Sequence, residues 1–428
     1  MKLATLILVG LSGLVAWAQQ ANPAQPEDLP EVRTSDEKPP KSVQSQVKLP
    51  KQVAELRSKA DKGDADAQFK LGLKYATGEG VARDSAEAVK RYRKAADQGN
   101  HSAQCNLGLM QAHGEGMDKD PTEAAKWLCK AAEQGNASAQ YSLGWLYANG
   151  EGVERDPKEA VKWYRKAAEQ EYVAAQSNLG QMYAFGESVD KDLKEASKWF
   201  RKAADLGDAV AQFNLGRSYY IGDGVTKDPK KAIKWWREAA KQENAAAQQS
   251  LGVMYANGDG VAKDPKEAVR WFRKAAEQGY ANAQNNLGVM YECGHGVPRN
   301  AIEAAKWYLI AAEQGDANAQ HNLANRYESG QGVPQSYAHA IKWYGKAADQ
   351  RHPMALANLG VMYELGHGVR PDFVQAQKWF ILSALLFRAS EAKNRGLVIR
   401  NRDQLAAKMT TEQLAEARRL AREWQPAG

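Results

Sequence analysis

The chain contains 428 residues, carries a formal net charge of +7 and has three cysteines. Because three is an odd number, the cysteines cannot all pair within the chain, which excludes a fully disulfide-bonded framework. This length suggests about three globular domains, but a block of 36 residues recurs nine times without insertion. Fixed self-similarity at this period predicts one array of stacked units, each burying its apolar face against its neighbours.

The first 18 residues have the features of a secretory signal peptide. A short charged start precedes an apolar stretch over residues 3–15, and Ala16-Trp17-Ala18 supplies a cleavage site. A membrane anchor is the alternative, but the apolar run is too short to span a bilayer. We therefore expect cleavage after Ala18, export to a bacterial periplasm or beyond, and no transmembrane segment in the mature chain.

Two further segments precede the repeats. Residues 19–50 are rich in proline and charge and almost lack large apolar side chains. Such a composition cannot form a core, so we expect a disordered tether. Residues 51–66 align with the second half of a repeat, Leu56 taking the place of Tyr92, and this predicts an N-terminal capping helix.

The third copy of the block illustrates the predicted fold of one repeat. Asn136 is placed to cap a first helix over residues 137–149, and Gly150 stands where a left-handed stop is required. After a short turn, Asp156 is placed to cap a second helix, with Glu159 completing a capping box. Each repeat is therefore predicted to be an antiparallel helical hairpin.

These repeats resemble the Sel-like repeat (SLR) family, whose pattern AxxxLGxxYxxGxGVxxDxxxAxxWYxKAAxxG covers about three quarters of the chain. The resemblance implies an all-α fold: a right-handed α-solenoid of stacked helical hairpins over residues 67–387, similar to the tetratricopeptide solenoids. The departures from the pattern are Ser188 for the second turn glycine, Ala324 for the helix glycine, Gly345 within a second helix, and Glu171, Glu243 and Arg351 for the closing glycine. Ser188 must then adopt a backbone conformation that glycine has in the other copies.

Beyond Phe387 the repeat period is lost. Two helices are predicted, roughly over residues 390–408 and 411–424, and Thr410 with Gln413 gives the second one a capping box. We expect residues 388–428 to cover the open end of the stack, as terminal units of solenoids do. A separate binding module is the alternative.

The sequence contains no catalytic or metal-binding pattern. The GxG turns follow helices rather than strands, the seven histidines lack metal-ligand spacing, and no serine lies in a nucleophile elbow. We expect no enzymatic activity, no cofactor and no metal. A Cys105–Cys129 disulfide is left open, because position 129 is mostly arginine in the other copies and should face water.

The positive charge lies mainly on the second helices, as at Lys162, Arg165 and Lys166. Acidic residues share that face, and Arg165 with Glu169 has the i,i+4 spacing of an ion pair. A solvated helix surface and a surface attracted to an anionic envelope both agree with this pattern. Nucleic acid is not expected as a partner, since an exported chain without a recognition motif offers no reason for it.

Three positions of the first helices are candidates for partner binding. The residues at the third and seventh positions of each block vary widely. Equivalent positions that face the core do not tolerate such variety, so we expect these residues to line an inner groove. The fourth is mostly asparagine, whose amide matches an extended peptide backbone, or alternatively bonds the adjacent repeat. The candidate residues are Asn106, Tyr141, Trp145, Asn178, Phe213, Asn214, Arg217, Asn286, Asn322 and Asn325.

The resemblance implies a non-enzymatic adaptor that holds other proteins or extended peptides in this groove, in envelope signalling or quality control. One alternative is a protein that binds peptidoglycan or another anionic surface through its basic helices and tether. A second is a β-lactam-interacting, hydrolase-like protein, although the chain lacks an SxxK constellation with its companion motifs. The sequence leaves the partner and the oligomeric state open.

Overall fold

The structure is a computed structural model in which residues 50–388 and 391–426 are described. Within these residues all 21 regular elements are helices and there is no strand, so the predicted all-α class is confirmed. Each of the nine repeats consists of a first and a second helix. The first helices are Ala65–Thr77, His101–His113, Ala137–Asn149, Val173–Phe185, Ala209–Ile221, Ala245–Asn257, Ala281–Cys293, Ala317–Ser329 and Pro353–Leu365. The second helices are Ser85–Asp97, Pro121–Glu133, Pro157–Glu169, Leu193–Asp205, Pro229–Lys241, Pro265–Glu277, Ala301–Glu313, Tyr337–Asp349 and Phe373–Leu386.

Three more helices flank the repeats. Lys51–Asp61 precedes the first repeat, and Ala392–Ala406 and Thr411–Glu423 follow the ninth. The capping box predicted for the last helix is formed, since the side chains of Thr410 and Gln413 each accept the backbone N–H of the other. The predicted signal peptide and the tether up to residue 49 lie outside the described residues.

Helix ends are set by the residues that the repeat places there. In the third repeat the Asn136 side chain accepts a backbone N–H at 2.9 Å, and Gly150 ends the first helix with a φ of 73°. Asp156 accepts the N–H of Glu159 at 3.1 Å and begins the second helix. The Glu159 carboxylate accepts from Lys162 Nζ at 3.0 Å instead of returning to the cap. Only the Asp156 half of the predicted capping box is therefore formed.

A glycine in every first helix but the eighth, which has Ala324, lets the two helices of a hairpin approach closely. A Cβ atom on Gly144 would lie 2.8 Å from the ring of Tyr164, which is 3% exposed. The same closeness recurs between Gly252 and Phe272, where the distance would be 2.5 Å. The aromatic ring of the second helix thus packs on bare backbone, and this contact sets the spacing within the hairpin.

The described chain divides into two compact units, and the boundary falls inside the second helix of the fifth repeat. One unit ends at Trp235, and its core contains alanine, leucine and aromatic side chains such as Tyr141 from consecutive hairpins. The other begins at Trp236 and has a core of the same kind around residues such as Tyr308. Within each unit, consecutive hairpins share one core, as expected of a solenoid.

A buried glutamine at the second position of the block joins three helices. Gln104 Nε2 donates at 3.1 Å to the carbonyl of Ala96, near the end of the preceding second helix. Its Oε1 accepts at 2.7 Å from Gln134 Nε2, at the end of the second helix of its own repeat. The same pair of bonds recurs at Gln68, Gln140, Gln248, Gln284 and Gln320. This glutamine ladder satisfies buried polar groups that would otherwise lose hydrogen bonds to water.

The glutamine ladder is incomplete in the fourth repeat, which generates a stability prediction. Leu206 replaces the second glutamine and is 52% exposed, and Gln176 Oε1 is buried without a partner. Replacing Leu206 by glutamine should restore the bond and raise the free energy of unfolding by about 1–2 kcal/mol, as measured by urea denaturation. Leu206→Asn, one methylene too short, is the matched control. An equal gain in both variants would contradict the explanation.

The second turn glycine is required for two separate reasons. Gly152 has a φ of 73°, and a Cβ atom there would lie 2.1 Å from the carbonyl oxygen of Pro121 in the preceding repeat. By contrast, a Cβ atom on the closing glycine Gly135 would meet nothing within 4 Å. Ser188 occupies the second turn position of the fourth repeat with a φ of 64°, as predicted. It therefore carries both the backbone strain and an added Cβ at a close inter-repeat approach.

Ser188→Gly should stabilise the fourth repeat by about 1 kcal/mol, because glycine adopts positive φ without steric strain. Native-state hydrogen exchange around this turn should become slower in the variant. The reverse change, Gly152→Ser, should speed exchange in the third repeat. Unchanged or faster exchange after Ser188→Gly would mean that the turn does not need glycine.

Candidate functional site

Most of the variable side chains at the third and seventh positions are packed against the repeats. Tyr141, Trp145 and Phe213 are 2%, 4% and 4% exposed. The Tyr141 ring lies 5.6 Å from that of Tyr164 on the second helix and 5.1 Å from that of Tyr172, the N-cap of the next first helix. The expectation that variety marks exposure is wrong for these three side chains, because neighbouring helices enclose them.

The asparagines at the fourth position serve the contact between repeats at two places. Asn322 Nδ2 donates to Asn285 Oδ1 of the preceding repeat at 2.9 Å, and Asn358 Nδ2 donates to Asn325 Oδ1 at 3.2 Å. The structural alternative, in which these amides bond the adjacent repeat, is therefore observed there. The other predicted asparagines of the column are buried or half-buried; these are Asn106, Asn178, Asn214 and Asn286.

A cluster not expected from the sequence lies on the first helices of the last two repeats. The rings of His321 and His352 stack with centroids 4.8 Å apart. The amide nitrogens of Asn325 and Asn358 lie 3.4 and 3.3 Å from His321 Nε2. Because amide nitrogens only donate, Nε2 is the acceptor, and the ring proton is on Nδ1, 3.4 Å from Asn322 Oδ1.

Both histidines are neutral at pH 7. Burial lowers the pKa of His321 to about 4. Burial also lowers the pKa of His352 well below its ordinary value, and the adjacent His321 adds to this. His352 Nδ1 accepts the N–H of Ala355 at 3.2 Å and so caps the ninth first helix. Asp316, the cap of the eighth first helix, has its pKa raised to about 6 by burial.

Tyrosines hold two glutamates, one on the first helix of the seventh repeat and one on that of the eighth. Tyr308 donates to Glu292 at 2.7 Å, and Tyr344 donates to Glu328 at 2.7 Å. Arg326 forms an ion pair with Glu292 at 2.9 Å. These acids are therefore bound within the fold rather than presented for catalysis. Glu292 and Glu328 stand where most other repeats have alanine. This departure from the repeat pattern could have indicated from the sequence that these repeats differ.

The arginines of the second helices bond tyrosines of the next repeat. Arg165 donates to the Tyr183 hydroxyl, and Arg273 donates to the Tyr291 hydroxyl at 2.7 Å. Arg165 and Glu169 have the i,i+4 spacing of an ion pair, but the guanidinium bonds the tyrosine of the next first helix instead. Equivalent bonds join Arg201 to Tyr219 and Arg237 to Tyr255.

Arg217 differs from the other arginines in position and in partners. It lies on the first helix of the fifth repeat and is half-buried. Within the described residues its guanidinium forms no ion pair. Burial lowers its pKa below the ordinary value, and Asp223 opposes this only in part. The group is therefore a positive charge without a direct ion pair, and Asp223 compensates it only in part.

Three further observations concern metal ligands, cysteines and helix apolarity. Residues 50–388 and 391–426 contain no cluster of three or more His, Cys, Asp or Glu side chains suited to a metal ion. The three cysteines are free thiols, and burial raises the pKa of Cys105 to about 11, which disfavours its thiolate. In the same part of the chain, no helix combines the length and apolarity needed to cross a membrane.

These hairpins define a helical repeat protein, and comparison with known families identifies which one. The Sel1 repeat profile matches residues 65–100, 101–136, 137–172, 173–208, 209–244, 245–280, 281–316, 317–352 and 353–386. Each matched segment contains one hairpin of the structure. The chain therefore belongs to the Sel1 repeat family, and the predicted resemblance is confirmed. Proteins built from these repeats are typically protein-interaction scaffolds.

Two solved structures of similar proteins support the α-solenoid. A protective antigen of uropathogenic Escherichia coli with an SLR fold is 34% identical, with a TM-score of 0.58, over 87% of this chain and 94% of that one. A Sel1 repeat protein from Oxalobacter formigenes is 35% identical, with a TM-score of 0.56, over 71% of this chain and 88% of that one. No curated protein matches the chain.

The two stacked histidines predict a loss of stability in acid. Their folded pKa values lie below the ordinary value of 6.5, so the unfolded chain binds more protons and stability falls as the pH drops from about 6.5 toward 4. The raised pKa of Asp316 favours the folded state as the pH drops and so opposes the effect of the histidines. Because it is one group and the histidines are two, we expect a net loss of stability. Each unit of pKa difference corresponds to about 1.4 kcal/mol.

Two substitutions that introduce residues found at the equivalent positions of other repeats test this prediction. His321→Gln introduces the residue found at Gln249, and His352→Asn introduces the helix cap found at Asn136. Urea unfolding at pH 7 and at pH 4.5 should give a smaller loss of stability in the double variant than in the natural chain. If both proteins lose the same stability, the histidines do not cause the acid sensitivity.

Proposed function

We propose that the protein is a non-enzymatic scaffold that binds an extended segment of another protein along the first helices of the unit ending at Trp235. Membership of the Sel1 repeat family supports protein binding in general. Arg217 is the observation that carries the specific proposal. Its half-buried guanidinium lies on a first helix and has no ion-pair partner within the described residues.

An unpaired charge at this position weakens the fold. Burial removes water from the guanidinium, and no ion pair offsets that loss. The fold itself does not need a charge here, because the equivalent residues of other repeats are Val253, Val289 and Val361. A partner that brings an acidic side chain would supply the missing counter-ion and form a charge-assisted hydrogen bond.

Amides on the neighbouring repeat extend this surface. Asn178 and Gln181 lie on the first helix of the fourth repeat and are half-buried. Each amide can both donate to and accept from a peptide backbone. We infer that the bound segment is extended and carries at least one aspartate or glutamate opposite Arg217.

We also propose that this binding takes place in the bacterial envelope after export. The support is the apolar stretch over residues 3–15 followed by Ala16-Trp17-Ala18, the pattern of a cleaved signal peptide. An exported scaffold of this kind suits envelope signalling or protein quality control, in which one chain holds another in place.

Arg217→Val should abolish partner binding without destabilising the chain. Valine occurs at this position in three other repeats, and the change removes an unpaired charge, so the thermal midpoint should stay level or rise. Partners captured from an envelope extract by the natural chain would be identified, and the affinity of their acidic segments for each variant would then be measured by titration.

Arg93→Gln is the matched control, because Arg93 is exposed, lies in the same unit and carries the same charge. We expect this control to retain binding. Arg217→Lys should lose about tenfold in affinity, because lysine lacks the planar guanidinium that binds a carboxylate through two N–H groups. Unchanged affinity in a folded Arg217→Val chain would place the partner surface elsewhere.

A further inference from the structure

Two open grooves of the same construction lie on second helices, one in each unit. The 201 groove, in the fourth repeat, has a volume of about 460 Å³, and the 273 groove, in the sixth, about 480 Å³. The cations lining the 201 groove are Lys194, Lys198, Arg201 and Lys202. The cations lining the 273 groove are the equivalent Lys266, Arg270, Arg273 and Lys274.

The arginine of each groove is held in place but not neutralised. Arg201 donates to the Tyr219 hydroxyl, and Arg273 donates to the Tyr291 hydroxyl at 2.7 Å. A phenol is uncharged at neutral pH, and neither guanidinium forms an ion pair within the described residues. Each groove therefore contains an oriented guanidinium whose remaining donors are available to an anion.

A tryptophan holds one lysine of each groove. Lys202 Nζ lies 4.2 Å from the ring centroid of Trp199, and Lys274 Nζ lies 5.0 Å from that of Trp271. Cation–π attraction restrains a lysine without cancelling its charge. Less side-chain entropy is then lost when an anion binds.

The charge left in each groove suits a dianion better than a monoanion. In the 201 groove Lys198 pairs with Glu195 at 2.9 Å, so three of the four cations remain. In the 273 groove Arg270 pairs with Glu267 at 3.2 Å and Glu277 lies in the wall, so four cations less two acids leave a net charge of two. A carboxylate brings only one negative charge to either groove.

We propose that each groove binds a phosphate group. A phosphate monoester has a charge of about −1.5 to −2 at neutral pH and three strong acceptor oxygens. It can engage the arginine fork and the two unpaired lysines together, because the fork matches phosphate geometry and lysine acts as a point charge. This surface is on the second helices and is independent of the protein-binding surface around Arg217.

Isothermal titration of the full chain with inorganic tripolyphosphate tests the proposal, with citrate as a carboxylate probe. Tripolyphosphate should bind, and citrate should bind at least about tenfold more weakly. Arg201→Gln combined with Arg273→Gln should weaken tripolyphosphate binding by about tenfold or more. Uncharged residues already occupy the equivalent position at Leu309 and Gly345, so the variant should fold. If it does not, Lys202→Gln with Lys274→Gln provides the same test.

A charge-matched pair outside the grooves separates a site from general attraction. Lys59→Gln with Arg418→Gln removes one exposed cation from each unit, and binding should change less than about twofold, since exposed charges away from the ligand are screened. Equal weakening by the two pairs of variants would overturn the proposal. Equal affinity for citrate would also overturn it, as would retention on phosphatidylglycerol vesicles without binding of tripolyphosphate.

Discussion

The stacking of this protein depends on a buried glutamine that bonds three helices at once in most of the repeats, although Leu356 replaces it in the ninth. Packing hairpins closely removes water from the ends of the second helices, whose last carbonyls have no donor within the helix. Gln104 donates to such a carbonyl and accepts from Gln134, so both ends of its amide are hydrogen-bonded. Both bonds require fixed distances along the chain, so an insertion between the bonded residues would break them; this favours a block of constant length.

Because the glutamine ladder and the glycines maintain the spacing, other positions are free to acquire functions. The proposed functions rest on charges that the fold orients but does not neutralise. Arg217 is such a charge on a first helix, and Arg201 and Arg273 are such charges on second helices. A protein partner and a phosphate-bearing ligand would therefore bind different faces of the hairpins and would not compete for the same side chains.

Much of the fold could be predicted because its causes are local and repeated. The candidate site was less predictable, since contacts between side chains decide it. His321 and His352 meet only when the eighth and ninth repeats stack, and no spacing rule for metals or catalysis marks them. The variety at the third position suggested an exposed groove, yet in the third repeat Tyr141 is enclosed by Tyr164 and Tyr172.

The repeated block alone is enough to establish the hairpins, most of the helix caps and the positive φ of Ser188, because each follows from backbone geometry within a few residues. Tertiary structure alone decided which partner each exposed or half-buried polar group takes. Arg165 has Glu169 one turn away on its own helix, but it bonds Tyr183 of the next repeat. Asn322 likewise bonds Asn285 rather than facing solvent freely. The physical reason is that a side chain bonds whichever group the neighbouring repeat brings within reach, and distance along the chain does not encode that choice.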